Sequence, residues 1–192
     1  MRTMPHACLL AISAFAVLAL AGCRPQPAAT PTPTIVELGS TQPAFQWDSI
    51  YLGGQPSEAD FTIIRNRGVR TVVDLRKPGE INWNEPAVVE GLDMKYVSLP
   101  FRAPEELTPE LIDQALAILR DQSQQPMLVH CSSNNRVGAI WYAYRRLDGG
   151  LSPDAALAEA QAIGLRTMAY LDPVKQYVAE RSGTRDQAPE QP

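Results

Sequence analysis

Cysteine and histidine are scarce in this chain. Its 192 residues include three cysteines and two histidines. Cys8 lies in an N-terminal apolar run and Cys23 directly behind it, so Cys131 is the one thiol of the remaining chain and no internal disulfide can form there. His130 is the one histidine beyond residue 6. One histidine and one free cysteine argue against a zinc site. Neighbouring strand residues point to opposite faces, so His130 is a poor base for Cys131, and a Ser-His-Asp arrangement is disfavoured on the same geometry. Basic charge is also short. There are 17 Lys and Arg against 21 Asp and Glu, a net of −4, and nothing recommends nucleic acid as a partner. The one long apolar run, residues 7–22, is too brief for a comfortable membrane span.

That run reads as a signal peptide over residues 1–22, closing at Leu20-Ala21-Gly22-Cys23. The closing tetrapeptide resembles the bacterial lipoprotein box, which implies lipidation of Cys23 and attachment to the periplasmic side of the cell envelope. Arg24 stands where inner-membrane lipoproteins carry aspartate, so by the same resemblance the outer membrane is expected. Residues 23–45 are rich in proline and read as an extended tether without a core. One domain is expected over 46–182, with a frayed polar tail at 183–192. Beyond residue 22 the chain keeps 16 basic residues, since Arg2 alone is lost, against 21 acidic ones.

Within the domain, strands alternate with helices. Ile50-Tyr51-Leu52, VRTVVDL (69–75), the alternating 94–99 and MLVHC (127–131) read as strands. Ser57 to Asp60 resembles a capping box opening a helix over 58–67. A short helix is expected at 85–90. Thr108-Pro109 and Ser152-Pro153 are helix starts, RVGAIWYAYRRL (136–147) is helical, and a last helix covers about 173–181. This order implies an α/β fold with a central, mainly parallel sheet flanked by helices.

The stretch HCSSNNRVG, residues 130–138, leaves the carboxyl end of a central strand and enters a helix. Ligands of α/β sheets bind at that place. Backbone N–H groups and the helix dipole favour an anion there, and Arg136 adds a planar fork for phosphate oxygens. The same field favours the nucleophilic thiolate of Cys131. Ser132, Ser133, Asn134 and Asn135 then form a phosphate-binding loop. His130 is expected to hydrogen-bond loop backbone behind it.

With "YLGGQPSEADF", "GVRTVVDLRKPGE", "GLDMKYVSLPF", "LTPELI" and "VHCSSNNRVGAIW", residues 50–148 resemble the bacterial dual-specificity-like cysteine phosphatases. The likeness is to the beta-lactamase-hydrolase-like subgroup, also found fused to NAD-kinase-like domains. That subgroup places four residues between Cys and Arg, usually as HC-x-x-G-x-R-x-G, where the wider class places five. Asn134 here stands for the glycine, and asparagine is the next most tolerant residue at positive φ. Val137 follows the arginine where many relatives of the wider class have Ser or Thr.

The resemblance implies a protein-tyrosine-phosphatase-like fold of dual-specificity size and a two-step hydrolysis of a phosphate monoester, with no cofactor and no metal. Cys131 would attack phosphorus, Arg136 and the loop would hold the oxygens, and water would release the phosphocysteine. The wider class takes its general acid, an aspartate, from the loop after the strand ending near Pro100, and FRAPEEL offers none. Glu105, Glu106 and Asp74 are the alternatives. Arg76 is expected to pair with an acid such as Glu80, or to meet substrate. Two other readings stand beside this one. A rhodanese-like sulfurtransferase also uses a short cysteine loop, and a phosphatase-like module could hold an anion or a partner without turnover. The implied partners are a phosphorylated substrate, protein or small molecule, and a membrane reached through the lipid.

Overall fold

A computed structural model describes residues 31–185. The expected signal peptide, Cys23, Arg24 and most of the polar tail lie outside the described residues. In chain order the elements are β1 (Thr34–Ile35), β2 (Ala44–Trp47), β3 (Ile50–Gly53), α1 (Asp60–Asn66), β4 (Thr71–Asp74), α2 (Glu85–Gly91), β5 (Lys95–Ser98), α3 (Pro109–Arg120), β6 (Met127–His130), α4 (Asn135–Leu147), α5 (Pro153–Ile163) and α6 (Met168–Arg185). A single six-stranded sheet runs in the order β1-β2-β3-β6-β4-β5. The pairs β3–β6, β6–β4 and β4–β5 are parallel, and β1–β2 and β2–β3 antiparallel. The α/β class and the mainly parallel sheet expected from the sequence are therefore present.

The sheet starts earlier than the proline content suggests. Residues 34–45, expected to be tether, instead supply β1 and half of β2, with Leu38, Thr41 and Ala44 buried. Pro31, Pro33 and Pro43 flank these strands rather than interrupt them. Trp47 packs edge-on against Trp141 and donates its indole N–H to the Pro31 carbonyl at 3.0 Å. Burial of this hairpin outweighs its composition.

The strands alternate cleanly. Leu52, Val73, Val129 and Cys131 face one core, covered by α3 to α6. Tyr51, Val72 and Leu128 face a second, smaller core with Phe61 and Ile64 of α1 and Val89 of α2. The helix starts follow local chemistry. Asn84, Thr108 and Ser152 cap α2, α3 and α5 through their side chains. Asp60 accepts from the Ser57 N–H at 2.8 Å and also ties down Ser40 and Thr41. The last helix begins at Met168, well before Pro173, so this proline lies inside it. Burial of Leu171, Val174, Tyr177 and Val178 offsets the lost backbone bond. Among the described residues no helix is long and apolar enough to cross a membrane.

Candidate active site at the end of the central strand

Strand β6 lies between β3 and β4, so the loop that follows it is held from both sides. The Cys131 N–H donates to the Gly53 carbonyl at 3.3 Å, Leu75 N–H to the His130 carbonyl at 3.0 Å, and Gln55 N–H to the Ser132 carbonyl at 3.3 Å. Cys131 is a free thiol at 1% exposure. Asn134 takes φ 62, the left-handed conformation, just before α4. Its side chain does not cap the helix, unlike those at the starts of α2, α3 and α5. It is buried, with Nδ2 donating to the Pro43 carbonyl at 3.4 Å. Among the described residues, the N–H groups of Ser132, Ser133, Asn135 and Arg136 donate to no protein acceptor. An uncapped helix start with unspent donors beside a thiol has the chemistry to hold an anion.

Arg136 projects from the first turn of α4 and is 7% exposed. Its Nη1 donates to the carbonyls of Leu75 at 3.0 Å and Phe101 at 3.4 Å. Glu80 takes the end of the guanidinium with both oxygens, at 2.7 Å from Nη1 and 2.6 Å from Nη2. Ser132 Oγ donates to Glu80 at 2.7 Å and accepts from Nη2 at 3.0 Å. The Arg136 Nε has no protein acceptor among the described residues. The paired Arg136 guanidinium, with help from Ser132 and the Lys77 N–H, pulls the Glu80 carboxyl down to about 2. Burial alone would lower the Arg136 pKa, but the Glu80 hydrogen bond and the charges of Cys131 and Glu80 raise it instead. Nearness in sequence suggests Glu80 as a partner for Arg76. The structure gives it to Arg136.

Asp74, Arg76 and His130 belong to the other face of the sheet. Arg76 donates to Asp74 from Nε at 2.8 Å and Nη2 at 2.6 Å, to Glu85 at 2.6 Å, and also to Gln55. Tyr96 donates its hydroxyl to Asp74 at 2.7 Å. Burial would raise the Asp74 pKa, but the Arg76 hydrogen bonds and the nearby His130 and Arg76 charges hold it below the ordinary range. Asp74 is thus a saturated, ionised structural carboxylate. That is the wrong state for a general acid, and it faces away from Cys131. Nor does His130 bond loop backbone through its ring. Its Nε2 lies 2.8 Å from Glu85, out of line for a hydrogen bond. Donor atoms of Asp74, Glu85 and His130 lie within 4.8 Å of one another. The Arg76 guanidinium offsets one of the two carboxylate charges and bonds an oxygen of each.

Glu105 and Glu106 lie in the loop after β5, whose Phe101 carbonyl touches Arg136. Both are exposed. Glu106 pairs with Lys77 at 2.7 Å and accepts from the Arg102 N–H at 2.7 Å, and these contacts keep it ionised. Glu105 has no polar partner among the described residues. A cavity of about 770 Å³ is lined by Lys77, Trp83, Glu85 and Tyr96 rather than by residues 131–136.

One contact set had no signal in the local sequence. The segment joining α5 to α6 folds back onto the loop: Asn135 Oδ1 accepts from the N–H groups of Arg166 at 2.8 Å and Thr167 at 3.2 Å.

Residues 34–176 match the family described as "DSP-PTPase phosphatase fused to NAD+ Kinase". The chain belongs to this family. Solved structures agree on the fold. Tk-PTP in a glycine-to-alanine mutant form is 19% identical, with a TM-score of 0.62, over 79% of this chain and 97% of that one. The core catalytic domain of the PP-IP phosphatase SIW14 from S. cerevisiae, in complex with citrate, is 17% identical, with a TM-score of 0.61, over 82% and 99%. A cysteine-to-serine form of P. aeruginosa TpbA in complex with phosphotyrosine is 21% identical, with a TM-score of 0.58, over 80% and 91%. No curated protein matches the chain. The family and fold are those of phosphatases of the dual-specificity type.

Proposed function

We propose that the protein hydrolyses a phosphate monoester through a phosphocysteine at Cys131. The observation that carries this reading is the Arg136 guanidinium. It is anchored at its far end by Glu80, with Nε unspent among the described residues, beside a buried thiol at an uncapped helix start. The thiolate sulfur attacks phosphorus as the ester P–O bond breaks, and a carboxylic acid delivers a proton to the departing oxygen. Water then attacks the S–P bond, releasing phosphate and restoring the thiol. Loop N–H groups and Arg136 hold the equatorial oxygens, where charge accumulates in both steps. Glu105 is the candidate for the acid that remains free of a partner. Ser132 is placed to steady Arg136 and Glu80.

The test is turnover of p-nitrophenyl phosphate by the purified full chain under reducing conditions, beside Cys131→Ser and with vanadate. Turnover lost in the variant and blocked by vanadate supports the reading. A folded wild type without turnover would refute it and favour an anion-binding module, and thiosulfate-dependent turnover would favour sulfur transfer.

The N-terminal sequence supports a second part of the proposal: cleavage before Cys23, its lipidation, and display of the phosphatase domain on the periplasmic face of the outer membrane. Fatty-acid labelling that persists in Cys23→Ser would refute that part.

A further inference from the structure

The segment between α5 and α6 is built into the phosphate loop rather than draped over it. Gly164 has φ 136, and a Cβ there would lie 2.6 Å from the Asn134 Cβ and 3.0 Å from the Ser133 carbonyl oxygen. Asn135 Nδ2 donates to Thr167 Oγ1 at 2.8 Å, closing the pair of bonds its Oδ1 accepts from Arg166 and Thr167. Arg166 Nη2 then donates to the Ser133 carbonyl at 3.0 Å, so an exposed guanidinium is fixed to the rim of the loop. Among the described residues no carboxylate pairs with it, in contrast to Arg136 inside the loop, which Glu80 holds.

Charge around this point is one-sided. Helices α1, α2, α3 and α5 carry Asp60, Glu85, Glu110 and Asp154 in their first turns. Helices α4 and α6, whose starts meet at Asn135 and Thr167, carry no acidic residue there. Two helix dipoles therefore add at the loop without a compensating side chain. Inside the loop, Arg136 is already balanced by Glu80. Arg166, bound to the Ser133 carbonyl, is a cation fixed at the rim without such a partner.

We propose that Arg166 reads a second phosphate group of the substrate, next to the one attacked by Cys131. The site would then take small organic molecules bearing two neighbouring phosphates in preference to isolated monoesters. This rests on the phosphatase reading. One phosphate is satisfied by the loop N–H groups and the Nε of Arg136. A second, one linkage away, lies outside that ring of donors and needs a fixed cation at the rim, where a guanidinium still has donors to give.

The test compares inorganic orthophosphate and pyrophosphate as competitive inhibitors of p-nitrophenyl phosphate turnover. It uses the full chain, Arg166→Ala and Arg166→Gln, the last able to keep the bond to Ser133. Wild type should prefer pyrophosphate, and both variants should lose about tenfold of that preference, the worth of one charge-assisted contact. An unchanged preference, or an equal fall in both affinities, would overturn the proposal, the latter being what a mere brace for Ser133 produces. Calorimetric binding of the same two anions to Cys131→Ser, with and without the Arg166 change, separates this from the chemistry. A preference that depends on Arg166 in a chain without wild-type turnover refutes the phosphatase reading alone. Turnover with a preference indifferent to Arg166 refutes this inference alone.

Discussion

Glu80 holds Arg136 end-on, with oxygens 2.7 and 2.6 Å from Nη1 and Nη2, and leaves Nε without a protein acceptor among the described residues. The carboxylate sets the direction of the fork. Phe101 and Leu75 carbonyls fix the same Nη1, so the guanidinium cannot swing.

Replacing Glu80 by glutamine should lower kcat/KM for aryl phosphates by about 10- to 100-fold, since a misaligned fork loses transition-state contacts. The same change should alter acid sensitivity. The folded carboxyl sits at about 2 against an ordinary 4.5. A depressed folded pKa means that the unfolded chain takes up the proton first as pH falls. The stabilisation is therefore complete above about 4.5 and is lost as pH falls toward about 2. Partial exposure keeps it modest. Urea unfolding at pH 6, 4 and 3 should show the gap between wild type and Glu80→Gln closing. A constant gap would contradict this.

Asn134 occupies the left-handed position that the resemblance assigns to glycine. Asn134→Gly should stay within about 1 kcal/mol of wild type and keep turnover, because relief of strain offsets the lost bond to Pro43. Asn134→Val should cost more than about 2 kcal/mol and remove anion binding, since a β-branched residue is a poor fit at positive φ. Thermal melts together with phosphate affinity test both, and a tolerated valine would show that the loop can be rebuilt.

Strands β4 and β6, the caps at Thr108 and Ser152 and the place of the Cys131 loop were legible because each is written locally, as a β-branched run, a cap or a strand-to-helix junction. The β1–β2 hairpin was not. Its prolines dominate the composition, while the burial of Leu38 and Trp47's packing on Trp141 are decided over long range. Nearness in sequence suggests an acid such as Glu80, or substrate, as the partner of Arg76. Alternation along β4 carried the better signal: Asp74 and Arg76 share a face with His130, while Val73 and Leu75 share one with Cys131. That parity also removes Asp74 as the acid. Arg166 is beyond any local rule, because its contacts with Ser133 and Asn135 span 33 and 31 residues.

The acid question has a clean division. Asp74→Asn should destabilise the fold by about 3–5 kcal/mol, because it leaves Arg76 buried with one carboxylate fewer. Glu105→Gln should leave stability alone. It should slow alkyl phosphates about 10- to 100-fold and p-nitrophenyl phosphate far less, since only a poor leaving group needs the proton. Glu106→Gln should spare catalysis, its carboxylate being held ionised by Lys77 and the Arg102 N–H. Equal rates for wild type and Glu105→Gln on an alkyl phosphate would remove Glu105 from the mechanism.

Gly164 tests whether the α5–α6 segment is part of the cradle. Its φ of 136 is one that side-chain-bearing residues rarely adopt, and the Cβ of an alanine would meet Asn134 at 2.6 Å and the Ser133 oxygen at 3.0 Å. Neither neighbour is a flexible side-chain end, and both belong to the turn that aims the loop N–H groups. Gly164→Ala should cost about 2–3 kcal/mol through backbone strain and overpacking together, and phosphate affinity should fall with it. Gly183→Ala in α6 is the control. A Cβ there meets nothing within 4 Å, so the helix should gain up to about 1 kcal/mol with no change at the site. If Gly164→Ala destabilised the protein yet left anion affinity at the wild-type level, the loop would keep its shape without the segment packed against it, and the position of Arg166 would carry less weight.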